Sequence, residues 1–459
     1  MLSSLLQLLR CPFCGGTLQP QGCPCTFGIP EYSILSCHCG RYPVVAGIPI
    51  LRKGVIAPTR QTADQVINLI EAGRSREALL SLLMPPLPNP AALAPKWMQA
   101  WPSVRGIGRL KTLMGQPALR AWRARAVAFL TQLGAHVTAC DLFDFHFRSS
   151  PLAKSDPYNY YAFCFGLPRH LVALSLSSLI LNPVKPILDL ACGCGHITRH
   201  LLPRAQDQPV IGVDRDFFSL YIAKGWMAPQ AEYVCSEADI SLPFPDATFS
   251  TVFCANAFQL FKHKVSCMRE LKRLTQETGL IVLVAVRNVL VKQHLYRNAT
   301  HWALPPAGYE ALVKDMPHRL LSNTAILSRY LRKQGPPLAS STHISRLLEE
   351  QWLSVVASHR TELFQDYGCF KDWPHAEGHL ALNPLYREEG RDASGAVQLR
   401  HMLLSPWFEQ ENGEYRQYQP EIVSLDPQVL NDVAQGQHTA EVERLLAQCV
   451  VVGLPAQFR

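Results

Sequence analysis

Three features of the sequence predict an α/β protein. Short apolar runs alternate with helical periodicity from residue 187 to 284, the first of those runs empties into a glycine-rich turn, and the N-terminal segment carries closely spaced cysteines beside glycine. The expected architecture is an open α/β sheet, preceded by a cysteine-rich unit and a helical spacer and followed by an α+β extension. The expected boundaries are 1–54, 55–150, 151–300 and 301–459.

The sheet begins at Pro186-Ile187-Leu188, which runs into Asp189 and the turn Ala191-Cys192-Gly193-Cys194-Gly195; Ile197 and Leu201 then resume at helical spacing. This is the pattern of a buried strand, a tight loop and a helix. Such a corner needs glycine, because the backbone turns through unusual φ and a ligand sits against the main chain where a Cβ would collide. Gly193 and Gly195 fill that role, and Ala191, standing where a third glycine is usual, fits if its φ is negative. Roughly fifteen to twenty residues on, Val210-Ile211-Gly212-Val213-Asp214 reads as a second buried strand, ending in a carboxylate suited to a ribose hydroxyl pair. A third element, 231–240, places Asp239 to accept from an adenine amino group. The fourth, Phe249 to Asn256, empties into a loop beside the ligand.

In this order and spacing, residues 187–286 resemble a class I S-adenosylmethionine-dependent methyltransferase. Asp189 to Gly195 is similar to that family's acidic, glycine-rich first motif and Val213-Asp214 to its second. Ala238-Asp239 with Leu242-Pro243-Phe244-Pro245-Asp246-Ala247-Thr248-Phe249 is similar to its third and the approach to the fourth, and Arg269 to Leu274 with Gly279 to Val284 to the helix and strand beyond. The resemblance implies a Rossmann-like seven-stranded methyltransferase sheet, with S-adenosylmethionine held by Asp189, Ala191, Gly193, Gly195, Asp214, Asp239 and Asn256. A nicotinamide-binding domain fits less well, because the turn has the compact Asp-x-x-x-Gly-x-Gly form rather than Gly-x-Gly-x-x-Gly.

The first ten residues carry their charge on the wrong side for a signal peptide, and no uncharged run of about eighteen apolar residues occurs. A cytoplasmic chain without a membrane span, and with no membrane among its partners, is expected. In that setting fifteen cysteines point to a metal cluster and buried fillers rather than disulfides. Cys11-Pro12-Phe13-Cys14-Gly15-Gly16 forms a knuckle whose glycines let amides turn toward thiolates, and Cys37-His38-Cys39-Gly40 is a second pair. Residues 35–51 resemble the small zinc-ribbon proteins that activate tRNA, ribosomal RNA and protein methyltransferases. Zinc on Cys11, Cys14, Cys37 and Cys39 is the expectation. That family has Cys-x-x-Cys in the second pair, whereas one residue separates Cys37 from Cys39, so Cys23, Cys25 or His38 is the alternative ligand.

After a linker, residues 63–83 show two amphipathic helical stretches parted at Gly73, then a proline-rich break from Pro85 to Pro95 and a further helix over 117–135. Residues 156–170 gather Tyr158, Tyr160, Tyr161, Phe163, Phe165 and His170 just ahead of the first strand; they either pack as core or, with Arg169, shape a pocket. Beyond 300, Leu320 to Leu331 reads as helix, 352–358, 378–386 and 423–427 as strand-rich, and 426–452 as a terminal helical run.

No catalytic residue is assigned. The loop Cys254-Ala255-Asn256-Ala257-Phe258 lacks the Asn/Asp-Pro-Pro-Tyr/Phe set that goes with amide or adenine nitrogen as acceptor, and the Pro-Cys of RNA cytosine C5 enzymes. His263 is a candidate base set against a solvated surface residue, and Cys235, Cys254 and Cys267 are a candidate trio for arsenic transfer. The formal charge of +8, from 44 Lys and Arg against 36 Asp and Glu, reads as a modest excess over the whole chain. Its densest segment, Arg105, Arg109, Lys111, Arg120, Arg123 and Arg125, either follows RNA phosphates or is a solvated helix face. The expected function is methyl transfer to a small metabolite. RNA or protein as acceptor, assisted by the chain's own ribbon, is the runner-up, and an inactive methyltransferase-fold scaffold the third reading.

Overall fold

A computed structural model describes residues 2–21, 30–57, 59–85, 87–101, 105–134, 136–149, 155–239, 241–291, 302–369 and 378–459. Its central sheet has seven strands: β1 (Ile187–Leu190), β2 (Val210–Asp214), β3 (Glu232–Cys235), β4 (Phe249–Ala255), β5 (Thr275–Arg287), β6 (His318–Ser322) and β7 (Trp352–Ser358). Their spatial order is β3-β2-β1-β4-β5-β7-β6. β1 to β5 run parallel, whereas β7 is antiparallel to both β5 and β6. The strand order reverses between β1 and β4, which opens a crevice at the carboxyl ends of the strands there.

The central strands are mostly apolar, without strict alternation, because both faces are covered. Every residue of β1 is buried; Ile187 belongs to one core, and Leu188 and Leu190 to the other. Helix Pro168–Ser177 packs on β5 and on helix Asn323–Tyr330, and helix Lys264–Leu274 packs against β4 and β5. The sheet does not close within 151–300, since β6 and β7 come from residues 318–358. The expected helix over 320–331 divides for the same reason: Leu320 and Leu321 pair with β7, and the helix starts at Asn323 under the Ser322 cap.

The N-terminal unit is a four-stranded antiparallel sheet, Gln19–Pro20, Ser33–Cys37, Gly40–Val45 and Ile48–Pro49. It continues the central sheet at its β3 edge. Ile50 bridges Cys235 in parallel, Leu51 N donates to Cys235 O at 2.8 Å, and Arg52 pairs with Glu237 at 2.6 Å. Helices Ala63–Glu71 and Ser75–Leu83 follow, the first opened by a capping box between Thr62 and Gln65. A 27-residue helix, Arg105–Thr131, comes next.

The C-terminal part adds a three-stranded antiparallel sheet, Tyr386–Arg391, Val397–His401 and Ile422–Leu425, and a pair, His379–Leu382 with Val451–Leu454. The terminal helical run is therefore shorter than its periodicity suggests: helices Pro427–Ala434 and Ala440–Ala447 give way to a fully buried strand. The tail then threads back through the molecule, where Gln457 O and Phe458 O accept from Ala139 N and Cys140 N at 2.9 and 3.0 Å. Phe458 is fully buried between Phe143, Phe165 and His196.

Candidate active site

β1 delivers Asp189 and the turn to the crevice. Gly193 (φ 53°) and Gly195 (φ 80°) adopt left-handed backbone, and a Cβ on Gly195 would stand 2.9 Å from Ala223 Cβ. Ala191 also has positive φ, 55°, not the negative value its side chain prefers. The turn imposes that geometry at a cost of roughly 1–2 kcal/mol to an alanine. Asp189 is buried behind the turn, where Thr198 Oγ1 donates to its Oδ2 at 2.6 Å.

Asp214, at the end of β2, is clamped by backbone donors: Gly193 N to Oδ2 and Asp216 N to Oδ1, both at 2.9 Å. Those bonds hold the glycine turn and the β2 end together and leave each carboxylate oxygen further acceptor capacity. Asp216 caps the next helix, accepting from Phe218 N at 3.0 Å and Ser219 Oγ at 2.8 Å. Burial pushes the Asp189 carboxyl up to about 7, and burial with the neighbouring Asp214 charge does the same to Asp216. Past β4, Asn256 sits at φ 57° with its N–H bonded to Val284 O, and its Oδ1 is buried with no hydrogen-bond partner.

These elements surround one cavity of about 650 Å³. Ala191, Gly193, Asp214, Asp239 and Asn256 line it, while Asp189 and Gly195 stand behind the wall. Tyr160, Tyr161 and Arg169 of the aromatic segment line it as well. Asp216 and Glu237, which motif spacing did not single out, complete an acidic end. The other end is aromatic and basic. Arg287 at the end of β5 and Trp352 at the start of β7 meet Trp407 and Glu411 of helix Pro406–Asn412. Arg287 pairs with Glu411 at 2.8 Å, and its guanidinium lies 4.9 Å from the Trp352 ring centre. Arg169, 5% exposed, stacks toward Tyr160 and Trp352 at 5.5 and 5.8 Å and has no ion-pair partner among the described residues. Nothing in the sequence near 407–411 marks these residues, since they reach the cavity only through the tertiary fold.

His263 is exposed on the surface, outside the cavity wall. Cys235 and Cys254 are buried in β3 and β4 and Cys267 in helix Lys264–Leu274, all outside the wall, and the three do not form a group close enough to share an ion. The arsenic-transfer arrangement is thereby removed.

Among the described residues, Cys11, Cys14, Cys37 and Cys39 are the cluster that could hold a metal ion, with all four sulfurs within 4.8 Å of one another. Cys11–Cys39, Cys37–Cys39 and Cys14–Cys37 are 3.4, 3.5 and 3.8 Å apart. Four thiolates about 2.3 Å from a tetrahedral ion lie roughly 3.8 Å apart, so the set fits zinc. The single-residue spacing of the second pair is accommodated because Cys37 closes one strand and Gly40 opens the next, turning both sulfurs inward. His38 Nδ1 lies 3.8 Å from the Cys14 sulfur, beside the cluster; Cys23 and Cys25 lie outside the described residues.

Residues 187–279 match the family model described as a methyltransferase domain. Over 106 residues the chain is 31% identical to the demethylmenaquinone methyltransferase of Thermotoga maritima, a match covering 23% of this chain and 45% of that protein's length. Among solved structures, a SAM-dependent methyltransferase from Aquifex aeolicus is 15% identical with a TM-score of 0.30, over 40% of this chain and 86% of that one. The plantazolicin methyltransferase BpumL in complex with SAH is 16% identical with a TM-score of 0.34, over 45% and 89%.

Proposed function

We propose that the chain transfers a methyl group from S-adenosylmethionine to a small-molecule acceptor. The observation that carries this reading is a cavity with two chemically different ends. When bound, the donor supplies an electrophilic methyl group: its sulfur–methyl bond breaks as the bond to the acceptor forms, and a neutral thioether remains. Asp214, fixed by the Gly193 and Asp216 amides, would accept from the ribose hydroxyls. Asp239 offers an acceptor to the donor's N–H groups, with Asn256 in the wall beside it, and the acidic end favours the donor's positive charge. Tyr160, Trp352 and Trp407 form walls that align an acceptor and exclude water. The Arg169 guanidinium suits an anionic group on that acceptor. The enclosed aromatic end favours a small molecule over RNA or protein, and the relative that acts on demethylmenaquinone agrees with that choice.

We further read the four-cysteine cluster as a structural zinc site, and a reducing cytoplasm as the setting that keeps its thiols available. Titration calorimetry with S-adenosylmethionine and S-adenosylhomocysteine tests the donor site. Micromolar binding is expected, and Asp214→Ala should weaken it roughly a hundredfold, since two hydrogen bonds to a charged group at about 1.5 kcal/mol each are lost. Unchanged affinity in the variant would overturn the assignment, and no binding at all in zinc-replete protein would favour a scaffold.

A further inference from the structure

The basic excess of this chain is not evenly spread. Residues 78–140 contain no aspartate or glutamate and seven lysines and arginines, so this segment holds +7 of the formal +8 and the remainder, 37 basic against 36 acidic side chains, is nearly neutral. The described parts of the segment form a helical hairpin. A short turn, Pro90–Leu93, and helix Lys96–Gln99 lie against the long helix Arg105–Thr131. The two arms touch at the backbone, because a Cβ on Gly115 would fall 1.7 Å from Pro90 O. Lys111 turns inward, donating to Gln99 O and Trp101 O at 3.3 and 2.8 Å.

Trp122, Ala126 and Leu130 bury one face of the long helix in the core. The first half of the helix presents the opposite character. Leu110, Leu113 and Met114 are exposed, Leu113 by 66%, and the other arm adds Trp97 and Trp101, exposed by 58% and 42% with their rings edge to face at 5.5 Å. Lys96, Arg109, Arg120, Arg123 and Arg125 are exposed around them. Large apolar side chains clustered in water are unfavourable unless something covers them. An RNA would meet the arginines with its phosphates and the tryptophans with its bases, but it would leave Leu110, Leu113 and Met114 hydrated. An anionic lipid surface meets both, with tryptophan and leucine at headgroup depth and arginine at the phosphates. Among the described residues no helix is long and apolar enough to cross a membrane, so such a helix would lie along the surface.

We propose that the arms 90–101 and 105–131 dock this protein on an anionic lipid bilayer. This surface is separate from the cavity, and the proposal stands or falls independently of the methyl-transfer reading. Co-sedimentation of the full-length chain with vesicles tests it, using phosphatidylcholine alone, a phosphatidylcholine–phosphatidylglycerol mixture, and single-stranded RNA as competitor. Binding to the anionic vesicles should exceed binding to neutral ones by at least tenfold and fall with added salt. Arg120→Gln/Arg123→Gln/Arg125→Gln should weaken it about a hundredfold. Trp97→Glu/Leu113→Glu, at exposed positions, should abolish it while thermal unfolding stays unchanged. No preference for anionic vesicles, or binding that survives Trp97→Glu/Leu113→Glu, would overturn the proposal. Tight RNA binding without vesicle binding would return the segment to a nucleic-acid role.

Discussion

Raising the pH from about 6 to about 8 is expected to strengthen binding of S-adenosylmethionine relative to S-adenosylhomocysteine by about tenfold. The two ligands differ by one methyl group and one positive charge, so their shared amino and carboxyl groups cancel in the ratio. On the protein side, burial holds Asp189 and Asp216 at about 7. Each therefore passes from about one tenth to about nine tenths ionised over this range. At an effective dielectric of about 20 and a separation of roughly 8 Å, a full charge is worth about 2 kcal/mol against a sulfonium. Two carboxylates each gaining most of a charge set an upper bound near 3 kcal/mol, and counterions reduce this to about 1.4 kcal/mol, a factor of ten. The sign follows directly, because ionisation on the high-pH side favours the cation and leaves the neutral thioether unaffected. Competition calorimetry across the range reads the ratio. A constant ratio would mean that neither carboxylate titrates beside the donor's sulfur, and the acidic end would lose its role in choosing the charged ligand.

Backbone strain in the turn gives a second test. Ala191→Gly should stabilise the protein by up to about 1 kcal/mol in thermal unfolding, because the native φ of 55° suits glycine better than alanine. Gly195→Ala should lower stability and abolish donor binding in the same assays, because its Cβ meets Ala223 Cβ at 2.9 Å. At the other end of the cavity, Arg169→Gln should leave S-adenosylhomocysteine affinity unchanged and raise KM for an anionic acceptor at least tenfold. Loss of donor affinity in that variant would move Arg169 to the donor's own carboxylate.

That Ala191, Gly193, Asp214, Asp239 and Asn256 line one crevice was legible because local chemistry writes it. A carboxylate after a buried strand, glycines where φ is positive, and a second carboxylate one βα unit later all lie at the carboxyl ends of adjacent strands. Ala191 shows the limit of such reading: the turn sets its φ, and the side chain is carried along. The cysteine cluster was legible for the same reason, as both pairs sit on tight turns. The acceptor end was not. Arg287 and Trp352 arrive from antiparallel neighbours β5 and β7, and Trp407 and Glu411 from a helix more than fifty residues further on. The charge of 78–140 was in the sequence throughout, but its meaning depends on which apolar residues the hairpin leaves uncovered.

The chain leaving the four-cysteine cluster ties that cluster to the donor site. Leu51 pairs with Cys235 and Arg52 with Glu237, whose side chain lines the cavity. A few residues later Ala57 bridges Asp216, and Ala57 O accepts from Phe217 N at 3.3 Å. One strand-like segment thus holds the ends of β3 and β2, where Asp214, Asp216 and Glu237 line the cavity. On the proposed reading of the cluster as a zinc site, removing the metal would loosen this segment and let Asp216 and Glu237 move. Loss of zinc should therefore weaken S-adenosylhomocysteine binding about tenfold. By reciprocity the bound ligand should tighten zinc binding by the same factor, read as a tenfold shift in the competition equilibrium with a chromophoric chelator. Equal donor affinity with and without metal would show that the β3 edge keeps its shape unaided, and the cluster would then serve only its own unit.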